Sequence, residues 1–284
     1  MIPGSFEYHR PDSVSAVVKL LAEHGDIARV MAGGHSLVPL MKMRMTDIAH
    51  LIDLQAIDNL NGISVEGSKV RIGAMTTQHE LINSDALAKA APIIREASLQ
   101  IADPQVRYMG TIGGNVANGD PGNDMPGLMQ CVDATYEVEG PDGKREIKAR
   151  EFYEAAYFTA LAEDELLTGI HFNSSGGGYA YEKMKRKIGD YATAAAAVLL
   201  EMEGGICKSA SIAMTNLSDT PIFSEAAGQA LVGSKLDKPD LDACIAAMLE
   251  DINPAEDNRG PVEFKRHVAG VILRRAIANA AQMA

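Results

Sequence analysis

The most informative part of this sequence is a pair of short stretches, Ala32-Gly33-Gly34-His35-Ser36 and Thr111-Ile112-Gly113-Gly114-Asn115. Each contains a Gly-Gly pair followed by side chains that form hydrogen bonds. Because glycine has no Cβ, such a pair can turn its amide N–H groups inward and let a ligand contact the backbone. Successive inward N–H groups form an anion-binding nest. Two nests suit the two phosphoryl groups of a diphosphate, so the stretches predict a dinucleotide-binding site, and no side chain is predicted to be catalytic.

The residues around the first stretch support this prediction. Residues 27–31 predict a short strand, and residues 37–43 predict a helix with Ser36 at or near its N-cap. The positive end of that helix dipole would then lie beside a phosphate. The usual nucleotide fingerprints are missing. The chain has no G-x-G-x-x-G motif, and its P-loop-like segment 228–235 places serine and lysine in the wrong order.

Composition and charge narrow the class of protein. The length of 284 residues predicts one large or two medium domains. The net charge of −12 argues against a nucleic-acid partner, and an acidic protein must hold an anionic cofactor through local donors. The three cysteines form no C-x-x-C pair and the seven histidines show no ligand spacing, so no cluster and no metal site is predicted. Neither a signal peptide nor a membrane span is visible, which predicts a cytoplasmic protein.

The order of apolar and turn residues predicts a mixed chain of helices and strands. Residues 13–23 predict a helix that ends at Gly25, and residues 86–102 predict one long helix. A further short helix is predicted over residues 124–131. The Ser/Gly-rich segment 174–178 is the best boundary by composition, and it gives domains at 1–176 and 177–284.

Three longer strings carry a family resemblance. They are AGGHS followed by LVPLMKMR at 32–44, QVRYMGTIGGNVANGDPGNDMP at 105–126, and YEKMKRKIGDYATAAAAV at 181–198. Together they resemble the FAD-binding medium subunit of the molybdenum hydroxylases, and the resemblance runs over essentially the whole chain. Within them, GDPGNDMP and KRKIGDYATAAAA are similar to the carbon monoxide dehydrogenase branch of that family.

The resemblance implies an α+β fold. It consists of an FAD-binding domain of the vanillyl-alcohol-oxidase (PCMH) type, made of two α/β subdomains, and a C-terminal α/β domain. FAD would bind noncovalently, with its diphosphate on the two glycine stretches. The chain would be an electron-transfer subunit that passes electrons from the iron–sulfur clusters of a small partner through FAD to a quinone-type acceptor. Substrate, most simply carbon monoxide, would be oxidised at a molybdenum cofactor in a large partner, within a dimer of heterotrimers that contacts the inner face of the membrane at most peripherally.

Some positions have both a cofactor role and a structural alternative. His35 donates to phosphate or caps the following helix, and Asp124 accepts from ribose hydroxyls or caps the helix that it begins. Leu167 presents its backbone to the flavin or adenine, or it is a core residue. Lys185, preferred to Lys183, offsets negative charge on a reduced flavin or is an edge charge. Tyr191 stacks on the isoalloxazine or is buried in the core.

Three other functions remain open at this stage. The chain is alternatively the FAD subunit of another molybdenum hydroxylase, acting on an aromatic heterocycle or an aldehyde. It is otherwise a free-standing flavin oxidoreductase, which would oxidise an organic donor without partners. A non-catalytic nucleotide-binding module is the third, and it would lack the flavin colour.

Overall fold

The structure is a computed structural model that describes residues 2–284, and its elements fall into three packed units. Its helices are α1 (Val14–His24), α2 (Leu37–Met43), α3 (Gln78–Asn83), α4 (Asp85–Ala90), α5 (Pro92–Gln100), α6 (Pro104–Met109), α7 (Ile112–Ala117), α8 (Asp124–Cys131), α9 (Glu225–Gln229), α10 (Lys238–Asp251) and α11 (Val262–Met283). Its strands are β1 (Glu7–His9), β2 (Ala28–Met31), β3 (His50–Asp53), β4 (Ile63–Glu66), β5 (Lys69–Gly73), β6 (Thr135–Gly140), β7 (Gly143–Lys148), β8 (Tyr153–Ala155), β9 (Phe158–Thr159), β10 (Leu166–Asn173), β11 (Gly178–Met184), β12 (Ala194–Glu203), β13 (Ile206–Thr215) and β14 (Ile222–Phe223).

The first unit is a three-stranded parallel sheet in the order β1-β3-β2. Helix α1 lies against one face and buries Val14, Val17 and Leu21 together with Ile52 of β3. These apolar residues recur at helical spacing, which is why the sequence predicted this helix to within one residue at each end. Helix α2 and the adjoining loop cover the other face around Leu51.

The second unit is a five-stranded antiparallel sheet in the order β4-β5-β10-β6-β7, with helices α3 to α8 around it. The long helix predicted over 86–102 is in fact two helices, α4 and α5. Ala91 between them has φ −154 and ψ 71, and Pro92 begins the second helix. A residue that precedes proline is driven out of the helical region by its clash with the proline ring, and this explains the break.

The third unit is a four-stranded antiparallel sheet in the order β11-β12-β13-β14. Helix α11 packs on β11 and β12, and α8 of the preceding unit packs on β12 and β13. Both faces of β12 are therefore covered, and its residues 194–198 are all buried. Within residues 2–284, no helix is both long enough and apolar enough to cross a membrane.

The sequence predicted that the second glycine stretch is a loop. In the structure it is the first turn of a helix. Thr111 is the N-cap of α7, and its Oγ1 accepts a hydrogen bond of 3.0 Å from the Gly114 amide. A threonine at this position satisfies a donor that the helix itself leaves unpaired. The sequence pattern missed this helix because it is only six residues long and contains two glycines, which are poor helix formers.

Candidate cofactor-binding site

A cavity of about 740 Å³ opens where the parallel sheet, the start of α7, the start of α8 and the start of β10 meet. This volume lies in the range of sites that bind small molecules and cofactors. The cavity brings together twelve of the fourteen residues predicted from the sequence, namely Ala32, Gly33, Gly34, His35, Ser36, Thr111, Gly113, Gly114, Asn115, Asp124, Leu167 and Tyr191. It does not include Ile112, which is buried in the core, or Lys185.

The first glycine stretch forms a loop between β2 and α2 with unused donors. The backbone N–H groups of residues 33–36 donate to no acceptor in the described part of the chain. Ser36 occupies the N-cap position of α2, as predicted, but its side chain makes no capping hydrogen bond. The loop therefore offers four amides and a hydroxyl to an anion beside the start of a helix.

Glycine is required at the two positions of this loop for different physical reasons. Gly34 has φ +73, a left-handed conformation that favours glycine. Gly33 does not have a positive φ, but a Cβ there would lie 2.0 Å from the carbonyl oxygen of Met109. Gly33 is thus required by the close approach of residues 109–110, and not by the path of a ligand.

The second glycine stretch also borders the cavity, but its amides are already hydrogen-bonded. The expectation of a second open nest is therefore wrong. The amide of Ile112 donates to Thr76 O and that of Gly113 to Ala74 O, both at 2.9 Å, and the Gly114 amide is used by the cap. Thr111, Gly113 and Gly114 line the cavity, and Asn115 adds a polar side chain to it. Its Oδ1 accepts from the Met125 amide at 3.2 Å, which ties α7 to α8 and fixes its orientation.

Asp124 begins α8 but does not cap it, so the capping alternative is wrong. The N-cap is Asn123, while the Asp124 carboxylate accepts from Tyr181 Oη at 2.5 Å and from Lys183 Nζ at 2.8 Å. Asp124 is 4% exposed, and its burial raises the pKa of the carboxyl, opposed by the Lys183 ammonium and the Tyr181 hydroxyl. Asp124 and Lys183 therefore form a buried, hydrogen-bonded pair in the cavity wall.

Lys183 and Lys185 occupy different environments. Lys183 lies on β11, lines the cavity and is almost completely buried. Lys185 follows the last residue of the strand and is half-buried outside the lining. Desolvation and the nearby Lys183 charge lower the pKa of Lys185. The sequence could not separate them, since both share a strand face by two-residue periodicity and only the end of β11 at Met184 distinguishes them.

Tyr191 and Leu167 both line the cavity. Tyr191 is 42% exposed, and the Arg259 guanidinium lies 5.7 Å from its ring centroid, so the buried-core alternative is wrong. Leu167 is buried on β10, next to an irregularity in the pairing with β6 between Leu167 and Gly169. Such bulges are frequent beside binding sites, where they redirect the chain.

Gln78 lines the cavity and was missed by the sequence reasoning. It is 2% exposed, and its Oε1 accepts from Ser98 Oγ at 3.0 Å. Its Nε2 is buried without a hydrogen-bond partner in residues 2–284. Leaving a buried donor unpaired costs about 1–3 kcal/mol, and an acceptor on a bound group would remove this cost. The only sequence signal for Gln78 as a site residue was that it is polar and lies in the first turn of a capped helix. With the unused amides of residues 33–36, this donor makes the cavity fit a large anionic cofactor with ring acceptors.

Comparison with known proteins identifies the class. Residues 4–173 match the family described as the FAD binding domain in molybdopterin dehydrogenase, and residues 179–280 match the CO dehydrogenase flavoprotein C-terminal domain. The chain belongs to this family of FAD-binding molybdopterin dehydrogenase subunits. It is a flavoprotein component of an oxidoreductase, and the predicted resemblance, fold class and FAD cofactor are confirmed.

Individual relatives make the comparison sharper. The carbon monoxide dehydrogenase medium chain of Afipia carboxidovorans is 60% identical over 282 residues, covering 99% of this chain and 98% of the relative. A solved structure of reconstituted CO dehydrogenase from Oligotropha carboxidovorans has a chain that matches with a TM-score of 0.99 at 59% identity, covering both chains completely. Quinoline 2-oxidoreductase from Pseudomonas putida 86 matches with a TM-score of 0.95 at 32% identity over 99% of each chain.

Proposed function

We propose that this chain is the FAD-containing electron-transfer subunit of an aerobic carbon monoxide dehydrogenase, which converts CO, water and an oxidised acceptor to CO2 and the reduced acceptor. The observation that carries the proposal is the 60% identity to a carbon monoxide dehydrogenase medium chain over nearly the full length of both proteins. The match extends through the segment 181–198 beside the cavity, and it is much higher than the identity to the quinoline enzyme.

In this proposal the chain's own residues hold and orient FAD without a covalent bond. The amides of residues 33–36 hold the diphosphate, with Ser36 and His35 beside them. Gln78 Nε2 donates to an acceptor on the cofactor, and the Asn115 side chain supplies a second donor. Asp124, which accepts hydrogen bonds from Tyr181 and Lys183, serves as an acceptor for the cofactor. FAD supplies the two-electron redox chemistry when bound, and the protein sets its position and electrostatic surroundings.

Tyr191 and the two lysines have roles that follow from where they lie. Tyr191 is at the mouth of the cavity, where a half-exposed aromatic ring can cover a planar group. Lys183 lines the cavity itself, while Lys185 adds positive charge from outside the lining. We assign Lys183 to the cavity wall and Lys185 to its electrostatic field.

The redox partners are other chains in this proposal. The three cysteines Cys131, Cys207 and Cys244 are buried thiols in packed cores, which leaves the flavin as the redox group of this chain. Electrons arrive from the iron–sulfur clusters of a small subunit, and substrate is oxidised at the molybdenum cofactor of a large subunit. The assembly is a dimer of heterotrimers that uses a quinone-type acceptor, in the cytoplasm or at the inner face of the membrane.

The surface beside the cavity supports a partner at this place. Ile188 is 88% exposed, and Met184 and Tyr191 are also exposed in the same segment. Apolar side chains that are exposed together mark contact sites. The boundary between the two domains of this proposal lies between residues 176 and 177, just before β11 begins, and most residues that line the cavity belong to the first domain.

The proposal is tested by isolating the chain from its source under native conditions. We expect co-purification with one molybdenum-bearing and one cluster-bearing chain, and a native mass that corresponds to two copies of each. The same preparation should oxidise CO, and not quinoline or an aldehyde. A preparation that oxidises a heterocycle and leaves CO unchanged supports the alternative hydroxylase, which the quinoline enzyme's similar fold favours. A monomer that oxidises a donor unaided contradicts both.

A further inference from the structure

Three histidines from three different elements come together in the first unit, and none of them lines the cofactor cavity. His9 ends β1, His24 ends α1 and His50 begins β3. The rings of His24 and His50 stack with centroids 3.7 Å apart, and that of His9 lies 5.3 Å from His50 and 5.6 Å from His24. One nitrogen of each ring lies within 4.8 Å of the other two.

The parallel pairing of β1 with β3 places these side chains on one face. Glu7 is paired with His50 and His9 with Ile52, so the side chains of Glu7, His9 and His50 lie on the same side of the sheet. Tyr8 lies on the opposite side, where its hydroxyl donates to Asp53 at 2.5 Å. Helix α1 packs on the His50 side, and its last residue, His24, completes the group.

The ligand atoms lie close to one another, but the stacked rings of His24 and His50 must rotate before their lone pairs can converge on one ion. His9 Nε2 and His50 Nδ1 are 3.0 Å apart, and the Glu7 carboxylate oxygens lie 3.9 Å and 3.7 Å from these two atoms. Nitrogen ligands at about 2.0–2.1 Å from a tetrahedral zinc ion are separated by roughly 3.3 Å. We propose that His9, His24 and His50, with Glu7 as a fourth ligand, form a binding site for a transition-metal dication of the zinc class.

The side chains favour a metal over simple packing of rings. A neutral imidazole has one donor and one acceptor nitrogen, and within residues 2–284 these three rings make a single hydrogen bond to one another. The side chains of His9 and His50 are each about one-sixth exposed, so a metal would be partly shielded from water. Three imidazoles and one carboxylate suit Zn²⁺, Cu²⁺ or Ni²⁺ and not Mg²⁺ or Ca²⁺, which prefer oxygen. Because the ligands come from three elements, sequence spacing could not show the site.

Such a metal would have a structural role, and it would stabilise elements that form one wall of the cofactor cavity. It would join the end of α1 to both β1 and β3. Leu21 of α1 and residues 28–30 of β2 line the FAD cavity, so the metal would stiffen this wall. The site is separate from the proposed redox function, and it can be present or absent whatever the substrate of the complex is.

The test is a Zn²⁺ titration of the full chain, loaded with FAD, freed of metal by a chelator and carrying no polyhistidine tag. We expect one Zn²⁺ per chain by calorimetry, and a rise in Tm of about 5 °C at a free Zn²⁺ concentration of 100 times Kd. Replacing Zn²⁺ with Co²⁺ should give the intense visible bands of a tetrahedral site. His9→Ala, His24→Ala and His50→Ala should each weaken binding at least about tenfold, and His267→Ala, at an exposed position on α11, should leave it unchanged.

Two results would overturn the proposal. One is the failure of the parent chain to bind Zn²⁺ at micromolar concentrations. The other is binding of the same affinity in all three cluster variants. Tm without metal shows whether each variant is folded, and a variant that does not fold is replaced by His→Gln at the same position. FAD content is measured in parallel, and loss of FAD with intact Zn²⁺ binding would count against the proposed function alone.

Discussion

Replacing Lys183 with methionine removes the cation that faces Asp124 in the cavity wall. Both side chains are nearly inaccessible to water, with Nζ 2.8 Å from Oδ2. Removing one member of a buried ion pair typically costs about 3–5 kcal/mol, because the other charge is left uncompensated. For a chain of this size, that corresponds to a fall in Tm of roughly 6–10 °C. We also expect FAD affinity to fall, since Asp124 would no longer be held in one position.

The size of this effect should depend on pH with a definite sign. Burial raises the pKa of Asp124, and loss of the Lys183 ammonium raises it further. A carboxyl whose folded pKa lies above its unfolded value binds more protons in the folded state, so stability falls as pH rises through that interval. The difference in stability between the variant and the parent should therefore be smaller at pH 5 than at pH 8. At pH 8 the variant must either keep an uncompensated buried carboxylate or bind a proton against its concentration in solution, and both cost free energy.

Thermal unfolding of three variants separates this explanation from general damage to the wall. Lys183→Met with Asp124→Asn removes both charges and should recover most of the lost Tm, while Tyr181 can still donate to the amide oxygen. Lys185→Met is the matched control at a half-buried position and should change stability by less than about 0.5 kcal/mol. The reasoning is refuted if Lys183→Met unfolds like the parent, or if the double variant is no more stable than Lys183→Met.

The remaining predictions concern three other contacts. Gly33→Ala places a Cβ 2.0 Å from a facing backbone oxygen and must move the two segments apart by about 1 Å, so purified protein should lose most of its FAD while its circular dichroism is kept; Gly176→Ala, where a Cβ meets open space, should retain the full complement. Tyr191→Ala should shift the flavin absorbance band and potential with only a small change in Tm, because the ring is 42% exposed; Tyr191→Phe should restore the spectrum, and a large fall in Tm with an unchanged spectrum would contradict the assignment. Arg145 lowers the pKa of Glu165 through two hydrogen bonds, so the pair stabilises the fold above the ordinary Glu pKa of about 4.3 and this is lost as pH falls. Arg145→Met should therefore cost up to about 1 kcal/mol at pH 7 by urea unfolding and progressively less below pH 4.3, and a difference independent of pH would exclude this explanation.

The elements that the sequence predicted are those that are decided locally. The first glycine stretch lies between a strand and a helix as expected, and α8 begins at Asp124 and ends at Cys131 as expected. In both cases the apolar spacing and the turn residues agree with the tertiary structure. The prediction for 86–102 was wrong at Pro92, although the effect of proline on the preceding residue is itself a local rule.

The features that the sequence could not show depend on long-range contacts. The amides of the second glycine stretch are occupied by carbonyl groups of Ala74 and Thr76, nearly forty residues earlier, and this decides that only the first stretch has unused donors. Asp124 is turned away from its own helix by Tyr181 and Lys183, about sixty residues later. The unpaired Gln78 amide likewise becomes visible only when its surroundings are known.

As an electron-transfer subunit, this chain should accept electrons from its partners and not obtain them from substrate. The most direct measurement is anaerobic rapid mixing with CO, following the visible flavin band in the isolated FAD-loaded chain and in the intact complex. We predict that CO bleaches the flavin of the complex within the time of catalytic turnover and leaves the flavin of the isolated chain oxidised, although dithionite reduces both. Bleaching of the isolated chain by CO, or turnover of the complex with its flavin never reduced, would exclude this path of electrons.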